Sequence, residues 1–557
     1  MIRRSLDGLG DGVVETLIVG SGPAGLTLGL ELARRGRPSL ILESGDRLAG
    51  PAQELSAARI VDPSRHDDMS IAVCRRLGGA SNLWGGRCMR LDPIDFEPRA
   101  YSRDARWPIG FKDLEPWYEP ACRYANCGDA VFDCPIEPLR IADDRFGMSN
   151  IERSSNKPAF QKAHAEALSS SPLLEVRTGA TVVDMKLEEN GRISQVHVAG
   201  AEGKRRDLRV GRVVVAAGGL ESTRLLLALQ RRHAGLFAGS DGPLGRYYMG
   251  HIIGEIADVV FADERLDAAF DFLVDGHGSF VRRRFIPSAR TQLRDGLPNM
   301  SFWPVVPPVA DARHRSGPLS AVTLALAAPS LGRLLVAEAI RKRHLAGSVD
   351  WMAHARNIGA DIPRTIGFLG RFAYRRYFSS QRISGYFVRN RARRYGLAYS
   401  SEQSPRAESR VTLSRETDSL GLPRLNVDYR CCREDAEAVA RGHAVLADWL
   451  AGTGLGRLEY RQPEAAGVDA VAARMGHGTH QIGTARMGFT RRDGVVDRDL
   501  RTFDCPNLFV SSSAVFPTSG QANPTLSIVA LAARLADRLA RERSAAGDGV
   551  RRAAAHA

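Results

Sequence analysis

The chain has 557 residues, of which 44% are hydrophobic and 25% charged, enough for two or more domains with substantial cores. Its net charge is +14, but only six of the 77 basic residues are lysines, and the arginines are spread along the whole length. This pattern argues against a nucleic-acid-binding protein, where basic residues cluster among aromatic ones. The N-terminus lacks a signal-peptide core, and Pro329 and Arg333 interrupt the longest apolar stretch, so we expect a cytoplasmic protein without an integral membrane segment.

The first element is a dinucleotide-binding βαβ pattern. An apolar strand over residues 13–19 is followed by Gly20-Ser-Gly22-Pro-Ala-Gly25, a helical pattern over 26–35, and a second strand that ends in Glu43. The first glycine allows the tight turn, the second lets a pyrophosphate approach the backbone, and the third lets helix pack on strand. Glu43 stands where an acid meets a ribose hydroxyl, so the pattern predicts nucleotide binding.

Two further segments are expected to return to the nucleotide. The loop over residues 77–86 has four glycines around Trp84 and predicts close contact with a flat ligand. A buried strand over 212–216 ends in glycines and continues as a helix over 223–229, a second strand–turn–helix unit. Eight cysteines without a CxxC pair predict reduced thiols and no metal site.

The remaining chain predicts an inserted domain. Alternating residues over 174–185 and 195–198 indicate strands, as do 255–310 and the paired segments of 407–428, whereas 318–380 and 434–450 have helical patterns. The predicted organisation is nucleotide-binding segments at 1–125 and 171–254, a connecting or substrate segment at 126–170, a substrate-binding domain at 255–474 with a helical insert at 318–380, a nucleotide-binding and catalytic segment at 475–540, and a flexible tail at 541–557.

The C-terminal run combines a histidine with a helix start. His480 lies in His480-Gln-Ile-Gly-Thr-Ala-Arg-Met487, and Asn523 precedes Pro524 at the expected N-terminus of a helix. Histidine suits a base that acts near neutral pH, and the helix N-terminus that follows Asn523 suits an anionic group. The alternatives are a buried structural role for His480, His477 as the base, and a plain helix-capping role for Asn523.

Together these motifs resemble the glucose-methanol-choline (GMC) flavoprotein oxidoreductases nearly end to end, with the pattern most similar to the pyranose oxidase, glycoside 3-dehydrogenase and C-glycoside oxidase branch. The resemblance implies an α/β fold, with a Rossmann-like FAD-binding domain and an inserted α+β substrate domain built on a β-sheet. It places the family's catalytic histidine at His480 and its partner at Asn523, with hydride passing to flavin N5. It also implies a sugar, glycoside or other alcohol as substrate, and leaves the electron acceptor open between O2, a quinone and a carrier protein.

The resemblance and the motifs together predict the FAD contacts. Leu83 stands where pyranose oxidases carry the histidine that is joined to the flavin, so we expect noncovalent FAD. Ser512 replaces a common acidic residue, which alters the usual ribityl or pyrophosphate contact, and Val182 resembles the backbone contact to adenine. The predicted cofactor-binding residues are Gly20, Gly22, Pro23, Ala24, Gly25, Glu43, Ser44, Gly78, Gly79, Ser81, Asn82, Trp84, Gly85, Val182, Ala217, Ser512, Asn523 and Thr525.

Two other functions fit parts of the sequence. Some GMC-fold relatives are lyases or light-driven decarboxylases that use FAD without net alcohol oxidation, although the presence of both His480 and Asn523 favours oxidation. A nucleotide-binding module without redox turnover, associated with nucleic acid through the arginine-rich residues 371–394, is the third interpretation; a yellow, flavin-containing protein would exclude it. Oxidase and dehydrogenase are not separable at this level.

Overall fold

A computed structural model describes residues 1–102, 105–137, 141–200, 203–328, 330–331, 349–463 and 467–542. The predicted flexible tail and part of the predicted helical insert lie outside these residues. The strands are β1 (Ile2–Arg4), β2 (Val14–Val19), β3 (Ser39–Glu43), β4 (Arg59–Ile60), β5 (Arg87–Cys88), β6 (Phe146–Gly147), β7 (Ile151–Ser154), β8 (Leu174–Thr178), β9 (Ala180–Leu187), β10 (Ile193–Gly200), β11 (Arg205–Val215), β12 (His251–Phe261), β13 (Leu273–Val274), β14 (Phe280–Arg283), β15 (Ile286–Pro287), β16 (Met300–Val305), β17 (Arg394–Glu402), β18 (Arg410–Thr417), β19 (Pro423–Asp428), β20 (Gly456–Tyr460) and β21 (Leu508–Val510).

The helices are α1 (Pro23–Arg34), α2 (Met69–Ala72), α3 (Phe111–Leu114), α4 (Tyr118–Ala125), α5 (Phe160–Ala163), α6 (Ala165–Ser170), α7 (Gly219–Arg232), α8 (Glu264–Ala269), α9 (Ala289–Asp295), α10 (Gly317–Ala327), α11 (Trp351–Ala360), α12 (Ile362–Ala373), α13 (Arg433–Gly452), α14 (Gly467–Ala472) and α15 (Thr525–Arg541). Helix α1 begins three residues before the predicted start, because Pro23 is accommodated in the first turn, where its missing N–H costs nothing.

The larger sheet has the order β1-β8-β3-β2-β11-β10-β9, and β21 also pairs with β11. Strands β1, β8, β3, β2 and β11 pair in parallel with their neighbours in this order, and β21 pairs in parallel with β11. Strands β11, β10 and β9 pair antiparallel. Every residue of β3 is buried, as expected for a parallel strand covered on both faces. The sheet thus unites three distant parts of the sequence and confirms the predicted Rossmann-like α/β class.

Glycines bring the first strand, its helix and β11 into close contact. Gly20 has φ of +103°, and a Cβ there would lie 2.7 Å from the Ala216 carbonyl oxygen. A Cβ on Gly25 would lie 2.0 Å from the Gly20 carbonyl oxygen. Both positions therefore exclude any side chain, and the turn after β2 is fixed directly beside the end of β11.

The second sheet has the order β16-β17-β12-β20 and is entirely antiparallel. Helix α13 packs beside β20. Its Trp449 is fully buried against Phe146 and Phe285, in a hydrophobic core that includes residues of this second sheet. The paired strands β18 and β19 do not join this sheet. Strand β18 pairs with β19, and β19 pairs with β4 from the first segment. Both strands pack on α7, so residues 410–428 lie against the N-terminal part of the chain and not within the second sheet.

The predicted helical insert contains α10, α11 and α12 among its described residues, with a short π-helical turn over Tyr374–Phe378. Within the described ranges, no helix is both long and apolar enough to cross a bilayer. All eight cysteines are free, and no group of metal-ligating side chains occurs in the described part of the chain.

Candidate active site

One cavity of about 2580 Å³ runs between the two sheets, and both His480 and Asn523 line it. Pockets for single small ligands typically measure about 300–1,000 Å³. The cavity is therefore large enough for a dinucleotide together with a substrate. Its walls come from the turn after β2, the glycine-rich loop, the end of β11, the second sheet and the C-terminal run.

The end of the cavity beside α1 fits a dinucleotide. Side chains added at Gly22, Gly85 or Gly218 would project into open space, so the backbone itself forms the wall there. Gly22 is also the N-cap of α1, whose first amides and positive dipole end face the same region. A bare backbone wall at a helix N-terminus is the surface that a pyrophosphate requires.

Glu43 is held rigidly at the end of β3. Its carboxylate is buried and accepts hydrogen bonds from the Ser21 amide at 3.0 Å, the Ser21 hydroxyl at 2.6 Å and the Gly45 amide at 2.9 Å. A carboxylate has about four acceptor positions, so one remains for a ligand hydroxyl. Glu43 lines the cavity as predicted, and it also ties β3 to the dinucleotide turn.

The polar side chains of the glycine-rich loop hold the loop together. The Ser81 hydroxyl donates to the Gly78 carbonyl at 2.6 Å, and the Asn82 amide donates to the Leu77 and Gly79 carbonyls. The Trp84 indole donates to the Pro158 carbonyl at 2.8 Å. These side chains lie at the cavity wall, but their hydrogen-bonding groups are engaged within the protein, which leaves the loop backbone and the Trp84 ring to face a ligand.

Most of the other predicted cofactor-binding residues lie at the cavity wall. The ones that line it are Gly20, Gly22, Pro23, Ala24, Glu43, Ser44, Gly79, Ser81, Asn82, Trp84, Gly85, Val182, Ala217, Ser512, Asn523 and Thr525. Gly25 and Gly78 do not line it: Gly25 packs against the Gly20 carbonyl, and Gly78, with φ of +90°, packs against Gln161. For these two glycines the expected ligand contact is replaced by a packing role.

His480 is half-buried and lies in a cluster of three histidines. Its Nδ1 is 2.8 Å from Nδ1 of His251, and its ring centroid is 4.5 Å from that of His477. The His477 Nδ1 accepts from the His480 backbone amide at 3.2 Å, while its Nε2 lies 3.3 Å from the Thr479 hydroxyl. His477 therefore supports the loop that carries His480.

His251, at the start of β12, is fully buried behind His480. Burial lowers the pKa of His251 to about 4, although carbonyl groups of Ser519, Gly520 and Ala522 favour its protonated form. The ring is therefore neutral at pH 7. Because those three residues lead directly to Asn523, His251 connects the His480 loop with the turn that positions Asn523.

The Asn523 side chain does not cap α15, which corrects one alternative raised by the sequence. Pro524 occupies the N-cap position, no side chain caps the helix, and the first turn closes with the Ile528 amide donating to the Pro524 carbonyl. The helix thus begins after Asn523, whose amide is not used in capping. This removes the conflict between capping and a contact with a ligand.

Gln521 neither faces solvent nor reaches toward a ligand. It is 1% exposed, and its amide donates to the Asp92 carboxylate at 3.0 Å. Its backbone carbonyl oxygen accepts from the Ser400 hydroxyl at 3.2 Å, whereas its side-chain Oε1 is buried without a hydrogen-bond partner. Gln521 therefore anchors the turn before Asn523 to the first segment and to β17.

Sequence reasoning missed His251 and the arginines of β14. His251 follows Tyr-Tyr-Met-Gly in a segment without a motif, so no local signal marks it. Arg282, Arg283 and Arg284 form a run of three charges within a predicted strand, an unusual pattern that does signal a function. Arg282 and Arg284 line the cavity.

Comparison with known proteins agrees with this geometry. Residues 405–532 match the family model for GMC oxidoreductase, and residues 18–69 match that for an NAD(P)-binding Rossmann-like domain. The chain is 24% identical to 2-methyl-1,2-propanediol dehydrogenase of Mycolicibacterium austroafricanum over 95% of both proteins, and 23% identical to paromamine 6'-oxidase of Streptomyces fradiae over 98% of this chain and 94% of that protein. The fold resembles that of pyridoxine 4-oxidase from Mesorbium loti, with a TM-score of 0.55 and 18% identity over 95% of this chain and all of that one.

The nucleotide-binding fold and these matches define a flavin-dependent oxidoreductase that acts on CH–OH groups. Residues 405–532 resemble the GMC oxidoreductases, as the motifs predicted.

Proposed function

We propose that this protein binds FAD noncovalently and oxidises a CH–OH group of a sugar, glycoside or other alcohol, with His480 as the base and Asn523 orienting the hydroxyl. The observation that carries the proposal is that His480 and Asn523 line the same cavity as the dinucleotide turn. When bound, FAD supplies the acceptor for the hydride at N5. The residues at 20–24, 43–44, 79–85, 182 and 217 would hold it.

His251 supports the basic role of His480 by fixing its tautomer. Because the two Nδ1 atoms are 2.8 Å apart, one of them donates to the other. The Nε2 of His251 is buried and has no hydrogen-bond partner among the described residues, so the contact with His480 is the ring's hydrogen bond. We assign the shared proton to His480 Nδ1, with His251 Nδ1 as its acceptor, so that Nε2 of His480 is the nitrogen that takes the proton of the substrate hydroxyl.

Asn523 complements this base. A carboxamide cannot take the proton, but it can donate a hydrogen bond to the oxygen on which negative charge develops as the proton leaves. The N-terminus of α15 lies directly behind it and favours negative charge in the same region. The pair would thus hold the alcohol oxygen while His480 takes its proton.

The experiment that tests the proposal is anaerobic titration of the purified protein with alcohols. We expect a yellow protein whose flavin is released on denaturation, because Leu83 cannot form the bond that a histidine makes at that position. A screen of sugars, glycosides and simple alcohols should find compounds that bleach the flavin without oxygen. A protein that carries no flavin, or flavin that no alcohol reduces, would contradict the proposal.

Replacement of His251 should slow flavin reduction by disturbing the tautomer of His480. His251→Leu removes the acceptor and should lower the rate of anaerobic flavin reduction about 10- to 100-fold, as loss of an orienting partner typically does. His251→Asn, whose carbonyl can accept from the His480 Nδ1–H, should recover most of the loss. The pH profile of reduction should shift in the leucine variant and not in the asparagine variant; unchanged profiles in both would show that His251 only fills space.

A further inference from the structure

The substrate side of the cavity carries an unusual concentration of arginines. The arginines that line the cavity include Arg87 of β5, Arg282 and Arg284 at β14, and Arg376 and Arg382 from the segment after α12. Arg282 and Arg284 are 3% and 1% exposed. Strands β5 and β14 belong to a small sheet in the order β13-β14-β7-β5, which is separate from the sheet that carries the turn after β2.

A single carboxylate serves three of these arginines. Glu152, also buried, lies 2.8 Å from Arg282, 3.7 Å from Arg87 and in close contact with Arg284. Burial alone would raise the pKa of Glu152, but the three guanidinium groups hold it well below its usual range. One negative charge thus balances three positive ones.

Arg382 has no carboxylate within ion-pair distance among the described residues, and its Nη1 is buried without a hydrogen-bond partner. Burial, reinforced by the charge of Arg376, lowers the pKa of Arg382 to about 9. Burial likewise lowers the pKa of Arg282 to about 9, despite Glu152. Cations are stable in such surroundings only when an anion compensates them.

Other groups on the same wall add neutral donors and flat surfaces. The Tyr386 hydroxyl is buried, has no hydrogen-bond partner and belongs to a residue that lines the cavity. The Arg284 guanidinium stacks on the Trp303 ring at 4.1 Å, which fixes its orientation. Besides burial, the charge of Arg284 lowers the pKa of His251, so this wall is within electrostatic reach of the partner of His480.

We propose that the arginine wall, defined as Arg87, Arg282, Arg284, Arg376 and Arg382, binds an anionic group of the substrate, a carboxylate or a phosphate, while the CH–OH group lies at His480. Among the described residues, Glu152 is the one carboxylate within ion-pair distance of Arg87, Arg282 and Arg284. Guanidinium groups match the two oxygens of a carboxylate or phosphate through paired hydrogen bonds. This inference rests on the proposed function and specifies its substrate class as an acidic sugar or acidic alcohol.

The test compares three related probes: D-glucose, D-glucuronate and D-glucose 6-phosphate. Binding is measured by calorimetry on the flavin-loaded His480→Ala variant, so that turnover does not interfere. We expect at least one anionic probe to bind tenfold or more tightly than D-glucose, with an affinity that falls as salt rises. The two anionic probes then distinguish a carboxylate-binding wall from a phosphate-binding one.

Variants of Arg382 test whether the preference for anionic probes depends on the arginine wall. In the same background, Arg382→Gln should reduce the ratio of anionic to neutral affinity about tenfold or more, and Arg382→Lys should retain part of it. Arg313→Gln is the matched control, because Arg313 lies at the same cavity but is 90% exposed and already paired with Asp311 at 2.7 Å. Equal affinity for all three probes, no affinity for either anion, or equal effects of the Arg382 and Arg313 changes would overturn the inference.

Failure of the inference can be told from failure of the proposed function. If neutral alcohols reduce the flavin of the parent protein but the anionic probes show no preference, the function stands and the arginine wall has another role. If the anionic probes bind in preference but no alcohol, acidic or neutral, reduces the flavin, the wall binds anions and the proposed oxidation is wrong.

Discussion

His480→Ala should leave FAD bound and lower the rate of anaerobic flavin reduction by about 10²- to 10⁴-fold, the contribution that a positioned general base makes. The cavity keeps its dinucleotide end in this variant, since His480 is not part of the turn after β2 or of the glycine-rich loop. The visible absorption spectrum should therefore match that of the parent protein. Stopped-flow mixing with a reducing alcohol measures the rate directly.

The control for this variant is His233→Ala. His233 is the C-cap of α7 and does not line the cavity, so its removal should leave the rate of reduction unchanged. The pH dependence provides a second readout, because the limb that reports deprotonation of the base should be lost in His480→Ala. Reduction of the flavin at the parent rate would remove His480 from the mechanism.

Gly22→Val should abolish FAD binding while the protein still folds. A Cβ at Gly22 meets no atom within 4 Å, and the backbone there, with φ of −68° and ψ of −176°, is extended and open to any residue. The Cβ of the valine would therefore meet no protein atom, and the side chain would fill the space in which the pyrophosphate approaches α1. We expect a colourless protein with a far-UV circular dichroism spectrum like that of the parent.

Gly110→Val is the matched control for the cofactor prediction. Gly110 is also an extended N-cap glycine, with φ of −93° and ψ of 170°, but it precedes α3 and lies away from the cavity. Its variant should retain a full complement of flavin. Stoichiometric flavin in Gly22→Val would show that the cofactor does not approach this turn.

The motifs with local chemistry were predictable from sequence. Strand β2, the glycine turn, α1 and Glu43 form one contiguous pattern in which each residue has a physical reason, and the structure has this unit in the predicted order. The segment that contains β11 was also predictable, because it has the same order of strand, glycine turn and helix as the first unit. The exact starts of the helices were harder to predict. The sequence suggested that Asn523 could cap the last helix, whereas Pro524 occupies the N-cap position of α15.

The sequence alone could not show which residues far apart in the chain come into contact. His251 is 229 residues from His480, and an isolated antiparallel bridge between Met249 and Ile482 brings the two segments together. Likewise, Glu152 and Arg284 meet across paired strands β7 and β14. Such pairs depend on strand register, which a single sequence leaves open. The run Arg282–Arg284 was visible in the sequence, but its function depends on which wall those side chains reach.

A crystal structure of the protein with FAD bound tests the central claim most directly. The account predicts that the His480 ring and the Asn523 carboxamide face the flavin edge that carries N5, from the same side, with the arginine wall across the remaining open part of the cavity. An isoalloxazine ring that lies away from either side chain, or that fills the space in front of the arginine wall, would contradict it.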